Sequence, residues 1–166
     1  MIAGRYVFAL IVGMVAIGPL STDLYLPSLP AIGKALDADV ARVQLTLSAY
    51  MCAFALVQLV YGPLADRFGR RPVLIGALIW YVVMNLLCAL AGSLELLLVA
   101  RVFAGLGIAA TRVVTIALIR DCYSGRAMAR VSSLAVMAFM IFPIIAPSIG
   151  EIILKFGSWR LIFYMV

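Results

Sequence analysis

Long stretches without charged side chains restrict this chain more than any other feature of its sequence. Four such stretches contain between 17 and 23 residues each. They are Tyr6–Thr22, Val43–Ala65, Pro72–Leu94 and Val131–Gly150. A fifth stretch, Leu96–Ile119, is equally apolar but contains Arg101 and Arg112. A helix that crosses the hydrocarbon core of a bilayer needs about 20 mostly apolar residues, so the sequence predicts five membrane-spanning helices.

The composition agrees with a membrane-embedded chain. Hydrophobic residues make up 66% of the 166 residues and charged residues only 12%, whereas soluble domains contain about 45–50% apolar and about 25% charged residues. We therefore expect residues 1–166 to form an all-α, polytopic membrane helix bundle. The predicted spans cover approximately residues 6–25, 40–61, 72–91, 96–120 and 131–154. A sixth apolar run begins at Leu161, and we expect the sequence to stop inside helix six.

The basic residues at the ends of these spans predict their orientation. With a cytoplasmic N-terminus, the inner ends hold Arg5, Arg67, Arg70, Arg71, Arg120, Arg126 and Arg130. The outer ends then hold Lys34, Arg42, Lys155 and Arg160. An excess of Lys and Arg on the inner side is the usual rule for membrane proteins. The net charge of +6 therefore indicates topology rather than a nucleic-acid partner, and we expect a multi-pass protein of the cytoplasmic (inner) membrane.

One short segment between the second and third spans, Tyr61–Pro72 (YGPLADRFGRRP), combines charges with residues that alter the backbone. Its glycines and prolines are Gly62, Pro63, Gly69 and Pro72. Glycine permits close backbone approach or a positive φ, and the prolines predict a non-helical segment between them. Asp66 precedes Arg70 by four residues, a spacing at which a carboxylate meets a guanidinium on one helical turn. Topology alone explains the arginines but neither Asp66 nor the glycine spacing.

Two arginines lie inside the predicted fourth span. Arg101 and Arg112 are eleven residues apart, which places them within about 20° of the same helix face. A charged side chain at the bilayer centre costs about 2.5–3.5 kcal/mol on insertion scales, so this face is expected to line water or protein rather than lipid. Arg112 then lines the central cavity and meets substrate, pairs with a group outside these residues, or contacts backbone carbonyls.

The levels at which charged residues lie across the membrane suggest partners for Arg101. At about 1.5 Å per residue, Asp23, Arg101 and Glu151 fall at a similar level in the outer half of the membrane, on three different helices. We hypothesise that Arg101 pairs with Asp23 or Glu151 in one state of the protein. A carboxylate that loses such a partner in apolar surroundings takes up a proton, which would couple protons to a change of shape. A static structural pair is the alternative.

Several segments resemble one family of transporters. The segment GPLADRFGRRP resembles the signature loop of the major facilitator superfamily, Gly-x-Leu-Ala-Asp-Arg-x-Gly-Arg-Arg/Lys, and matches it at every defined position. The segment RVFAGLG resembles the family's second motif, with Arg101 and Gly105 in place. Three further segments are similar to the drug:proton antiporter branch of the bicyclomycin-resistance (Bcr/CflA) type. They are STDLYLPSLP, VQLTLSAYMCAFALVQLVYGPL and IRDCYSGRAMARV. The resemblance covers nearly the whole chain. It implies the N-terminal half of a twelve-helix fold, with five complete helices and the start of a sixth.

The resemblance implies that the segment between helices two and three is a gate. In the family, the aspartate of this loop, here Asp66, pairs with the arginine four residues on, here Arg70, and also caps a helix of the second half. An acid at the inner end of helix four, here Asp121, often joins them. The implied gating residues are Gly62, Asp66, Arg67, Gly69, Arg70, Arg71 and Asp121.

A further motif of the antiporter branch lies in helix five. It usually reads Gly-Pro-x-x-Gly-Gly, and here it reads APSIGE. Pro147 and Gly150 are retained, whereas Ala146 and Glu151 stand where the family has glycines. Both replacements bear on how closely helix five packs against its neighbours.

The resemblance implies a transporter and not an enzyme. The implied activity is proton-coupled efflux of small cationic or neutral amphipathic compounds, bound near the midplane between two six-helix bundles that rock around them. The implied partners are the small-molecule substrate, protons, the lipid bilayer and a C-terminal half that this sequence lacks. No cofactor, metal or nucleotide is implied, and no glycine-rich phosphate loop supports an ATP-driven pump. A nutrient importer of the same superfamily and a transport-inactive fragment are the alternatives.

Overall fold

The computed structural model describes the backbone from Ile2 to Val166 and the side chains from Phe8 onward. Within that range the chain forms seven α-helices, one short 3₁₀ helix (Leu26–Ser28) and no strand. The α-helices are α1 (Ile2–Asp23), α2 (Leu29–Ala35), α3 (Val40–Phe68), α4 (Arg70–Leu90), α5 (Leu94–Cys122), α6 (Gly125–Phe156) and α7 (Arg160–Met165). The all-α prediction is confirmed.

Five segments of the described chain are long and apolar enough to cross a membrane. Helices α3, α4, α5 and α6 each form one of them, and the fifth runs from Phe8 in α1 to Ala35 at the end of α2. Helix α7 adds six helical residues where the sequence predicts the start of a sixth span. The polytopic helix bundle expected from the charge-free stretches is therefore confirmed.

The segment after α1 is more helical than the sequence predicts. The prolines and glycine of residues 26–39 predict a loop, but this prediction is wrong for most of the segment, which forms the 3₁₀ helix and α2. Pro27 and Pro30 each stand within the first two positions of these two helices. Proline suits such positions because its missing N–H has no intrahelical acceptor there and its φ is preset. The two prolines therefore lie in the first turns of helices, and the loop before α3 contains only residues 36–39.

The turn between α3 and α4 also differs from the prediction. Helix α3 continues through Pro63 to Phe68, and α4 starts two residues later, so the non-helical segment expected between Pro63 and Pro72 is reduced to Gly69. Gly69 has φ 88° and ψ 147°, a conformation that glycine adopts without steric cost. Pro72 falls in the first turn of α4, where backbone N–H groups lack intrahelical acceptors in any case.

The loop between α5 and α6 is also shorter than predicted. Residues 121–130 are expected to form a loop, but α5 extends to Cys122 and α6 begins at Gly125. The residues that follow Gly125, RAMAR, are strong helix formers, so α6 extends several residues closer to α5 than the charge pattern indicates. Only residues 123 and 124 connect the two helices.

Helix α5 packs against α1, α3 and α4 and forms the centre of the described bundle. Two of its glycines permit this. A Cβ atom added at Gly107 would lie 3.0 Å from the carbonyl oxygen of Ala77, and one added at Gly105 would overlap the carbonyl oxygen of Tyr50. Small residues let membrane helices approach closely where lipid gives no hydrophobic drive for association. This packing holds the helix from which Arg101 and Arg112 project.

Candidate functional site

A cavity of about 310 Å³ lies between α1, α5 and α6. Its wall is mainly apolar, with Met14 and Pro19 from α1, Ile116 from α5 and Phe139 from α6 among the lining residues. Its polar lining consists of Thr111, Arg112, Thr115, Arg120 and Ser132. The volume and the apolar wall with few polar groups are typical of a pocket for a small organic molecule.

Arg112 lies in the wall of this cavity and is exposed to it. Its guanidinium lies 5.7 Å from the ring centre of Phe139, within the range of a cation–π interaction. The two neighbouring threonines direct their hydroxyl groups back to the helix. Thr111 donates to the carbonyl of Ile108 (2.7 Å), and Thr115 donates to the carbonyl of Thr111 (2.6 Å). The Arg112 guanidinium is thus a charged donor that remains available to a molecule in the cavity.

Arg101 has the opposite environment. Its side chain is only 1% exposed, and its guanidinium lies 4.3 Å from the ring centre of Tyr25 and 4.2 Å from that of Tyr50. Phe163 of α7 adds a third ring at 5.8 Å. The Nε and Nη2 atoms of Arg101 have no hydrogen-bond partner among the described residues. The aromatic rings are therefore the main groups that compensate this buried charge.

The carboxylates proposed as partners of Arg101 are not paired with it in this structure. Neither Asp23 nor Glu151 forms an ion pair within the described part of the chain. Asp23 ends α1 and is partly exposed, while Glu151 lies on α6 and is exposed. The hypothesis concerned one state of the protein, and this structure represents a state without the pair.

The tyrosines that enclose Arg101 were missed in the sequence analysis. Tyr25 follows Asp23 by two residues, and Tyr50 belongs to α3. Their hydroxyl groups are engaged elsewhere: Tyr25 shares a hydrogen bond of 2.6 Å with Thr46, and Tyr50 donates to Ser21 at 3.1 Å. The height argument that linked Asp23 to Arg101 could have found Tyr25, because both residues lie at the same level. Tyr50 gave no signal beyond being a polar group inside a span.

At the other end of the bundle, Arg70 and Asp121 form an ion pair. Arg70 also donates a hydrogen bond of 2.8 Å from Nη1 to the carbonyl of Ala117, so it joins the start of α4 to the end of α5. Asp66 is exposed and forms no ion pair or hydrogen bond among the described residues. The break at Gly69 separates Asp66 from Arg70, so the four-residue spacing no longer places both on one helix.

The other implied gating residues are placed without mutual contacts. Arg67 lies over the ring of Phe68, at 5.4 Å from its centre, and Arg71 is exposed. A Cβ atom added at Gly62 would meet nothing within 4 Å and its φ is not positive, so Gly62 shows neither the close backbone approach nor the positive φ that a glycine permits. Among the side chains from Phe8 onward, no group of three His, Cys, Asp or Glu residues could hold a metal ion.

The retained glycine of the helix-five motif marks a close contact between α6 and the end of α1. A Cβ atom added at Gly150 would lie 2.8 Å from the carbonyl oxygen of Leu24 and 3.3 Å from Cγ of Pro27. Ala146, one turn earlier, is fully buried against Leu24, so alanine fits where the family has glycine. Pro147 is partly buried.

Comparisons with known proteins agree on one family. The sequence profile of the Major Facilitator Superfamily matches residues 7–166. An uncharacterized MFS-type transporter, YdgK of Bacillus subtilis (strain 168), is 36% identical over 165 residues, which are 98% of this chain and 41% of the relative. A chloramphenicol resistance protein of Pseudomonas aeruginosa is 39% identical over 146 residues, 87% of this chain and 35% of the relative.

A third relative supports the same family, and a solved structure shows the same fold. A bicyclomycin resistance protein homolog of Haemophilus influenzae (strain ATCC 51907 / DSM 11121 / KW20 / Rd) is 35% identical over 97% of this chain and 41% of its own length. The chain thus spans between 35% and 41% of the length of these three relatives. The crystal structure of a bacterial homolog of the human lysosomal transporter Spinster, inward-facing and unoccupied, superposes with a TM-score of 0.80 at 18% identity, over 97% of this chain and 39% of that one.

Proposed function

Because the chain belongs to the major facilitator superfamily, we propose that residues 1–166 form the N-terminal half of a twelve-helix transporter that exports small amphipathic compounds in exchange for protons. The observation that carries this proposal is the cavity between α1, α5 and α6, which joins an apolar wall to a few polar groups. The names of two relatives refer to resistance to chloramphenicol and bicyclomycin, which supports antibiotics of that size as substrates.

In this proposal a second six-helix bundle closes the cavity from the opposite side. The two bundles rock around the substrate and expose it to one side of the membrane at a time, as is general for transporters built from two repeats. The protein lies in the cytoplasmic membrane with its N-terminus inside, in agreement with the excess of arginines at the predicted inner ends.

The ion pair between Arg70 and Asp121 forms part of the proposed inner gate. It joins α4 to α5 within this half and leaves the carboxylate of Asp66 exposed. A carboxylate at a helix N-terminus contributes about 0.3–1 kcal/mol. Asp66 is thus suited to cap a helix of the second half weakly enough that substrate or proton binding can open the contact.

Asp23 is the better candidate for the proton carrier. It ends the helix that leads directly into Tyr25, one of the two rings that enclose Arg101, whereas Glu151 is exposed on α6. The Nε and Nη2 atoms of Arg101 lack partners, and two such neighbouring N–H groups can hold both oxygens of a carboxylate. In this proposal the end of α1 rearranges so that Asp23 reaches this edge, and loss of the pair lets Asp23 take up a proton.

Everted membrane vesicles test the direction and the energy source of transport. With a respiration-driven proton gradient, vesicles that contain the protein in its full reading frame should take up labelled chloramphenicol, and a proton ionophore should abolish the uptake. We expect Asp23→Asn to lose gradient-driven uptake and Glu151→Gln to retain it. Proton-coupled efflux would be refuted if the vesicles release a preloaded nutrient, or if the ionophore does not reduce the uptake of chloramphenicol. Equal coupling in both variants would refute only the role of Asp23.

A further inference from the structure

The charges around the cavity have a single sign. Two arginines, Arg112 and Arg120, belong to its wall, and none of the lining residues among those described is acidic. The nearest acid along the chain, Asp121, is occupied by its ion pair with Arg70. A cleft lined by one sign of charge between apolar walls concentrates ligands of the opposite sign. This wall therefore repels a cation that enters the cavity.

Arg112, Arg120 and Ser132 supply the donors of the cavity wall, and Arg112 is the one of them that lies beside an aromatic ring of the wall. The hydroxyl groups of Thr111 and Thr115 already donate to backbone carbonyls, so they can offer only acceptor lone pairs. Phe139 lies against the guanidinium of Arg112, which leaves the N–H groups around the edge of that plane free to donate. A planar guanidinium matches the two oxygens of a carboxylate, and it also donates to a neutral carbonyl or nitro oxygen.

We propose that this half of the cavity binds anionic and neutral oxygen-bearing aromatic compounds in preference to cations, and that Arg112 is the residue that determines this preference. This inference deepens the proposed function by naming the substrate class of the same cavity. It departs from the sequence-based expectation, which allowed cationic compounds. Phe139 and Phe54 line the cavity beside Arg112 and supply the apolar surface for the aromatic part of the ligand.

A matched set of three ligands tests this selection by binding, without any need for transport. The probes share a naphthyl group and carry a carboxylate, a carboxamide or a trimethylammonium group. Binding to the purified full-length protein in lipid nanodiscs is followed by fluorescence at low ionic strength. We expect the carboxylate to bind about tenfold more tightly than the ammonium compound, with the carboxamide between them. Tightest binding of the ammonium compound, or no detectable binding of any probe, would overturn the proposal.

Variants of Arg112 assign the effect to one side chain. Arg112→Gln should weaken carboxylate binding about tenfold and leave ammonium binding unchanged or stronger, while Arg112→Glu should reverse the order of the two. Arg112→Lys keeps the charge without the planar fork, so it should keep the order with weaker carboxylate binding. The control is Arg126→Gln, which removes an exposed arginine that does not line the cavity. Equal losses in Arg112→Gln and Arg126→Gln would show that net charge alone acts and would overturn the role of Arg112.

The outcomes separate this inference from the proposed function. If the naphthyl series binds in the expected order while vesicles show no proton-driven uptake, efflux is refuted and the selection stands. If vesicles export chloramphenicol but the three probes bind equally, only the selection by Arg112 is refuted.

Discussion

Arg101 and Arg112 lie on the same helix and within about 20° of the same face, yet their surroundings differ completely. Arg101 is 1% exposed and lies between the rings of Tyr25 and Tyr50. Arg112 is exposed to a cavity and has one ring, that of Phe139, at a longer distance. The difference shows that an arginine inside a membrane helix has two distinct uses. One holds helices together through aromatic rings, and the other faces a space that a ligand can enter.

The largest loss of stability is expected for a change at Arg101, the buried arginine of this comparison. Arg101→Ala would empty the space between the two tyrosine rings and remove the cation–π contacts with Tyr25, Tyr50 and Phe163. Truncation of a large buried side chain and loss of a desolvated cation–π contact together cost about 3 kcal/mol or more. We therefore expect the unfolding temperature of the protein in detergent to fall by several degrees.

Arg101→Met gives the matched control for that loss. Methionine has a similar length and fills the space without the charge, and apolar replacement of buried charges is often tolerated. The loss of stability should therefore be clearly smaller than for alanine. If both variants unfold like the unmodified protein, the aromatic enclosure of Arg101 does not stabilise the bundle.

A substitution at Gly105 tests whether the close packing of α5, and not only the charge of Arg101, stabilises the surroundings of Arg101. The added methyl group of Gly105→Ala would overlap the carbonyl of Tyr50, whose ring covers Arg101. Overpacking of this kind costs about 1–3 kcal/mol. Gly62→Ala is the control, because its methyl group would meet nothing within 4 Å, and it should leave the unfolding temperature unchanged or slightly raised. Equal unfolding temperatures for the two variants would contradict the close approach of α3 and α5.

The sequence predicted the spans well because their length and lack of charge are local properties. It predicted the helix ends poorly, because Pro30 and Pro63 were read as breaks, although Pro30 stands in the first turn of α2 and α3 continues through Pro63 to Phe68. The contacts of Arg101 could not be predicted, since Tyr50 and Phe163 reach it only through the packing of α3 and α7. The sequence left three alternatives for the surroundings of Arg112, and it could not show the cavity that Arg112 lines, because helices distant in the sequence form it. That a substrate binds Arg112 in this cavity stays a proposal.

A smaller loss of stability is expected at the end of the bundle where α4 begins and α5 ends. Asp121→Asn removes the charge that pairs with Arg70. Both side chains are partly exposed, at 29% and 53%, and solvent-exposed ion pairs contribute about 0.2–1 kcal/mol, so the unfolding temperature should fall only slightly. Asp66→Asn should leave it unchanged, because Asp66 has no partner among the described residues. A fall for Asp66→Asn equal to that for Asp121→Asn would contradict this placement.

The smallest effect on stability is expected at Arg112 itself. Arg112→Ala removes an exposed side chain whose closest aromatic contact is at 5.7 Å, and substitutions at exposed positions usually change the free energy of unfolding by no more than about 0.5 kcal/mol. The unfolding temperature should therefore match that of the unmodified protein, while Arg101→Ala in the same assay falls by several degrees. A large loss of stability in Arg112→Ala would mean that both arginines hold the bundle together. The cavity would then lack the free donor that distinguishes Arg112 from Arg101.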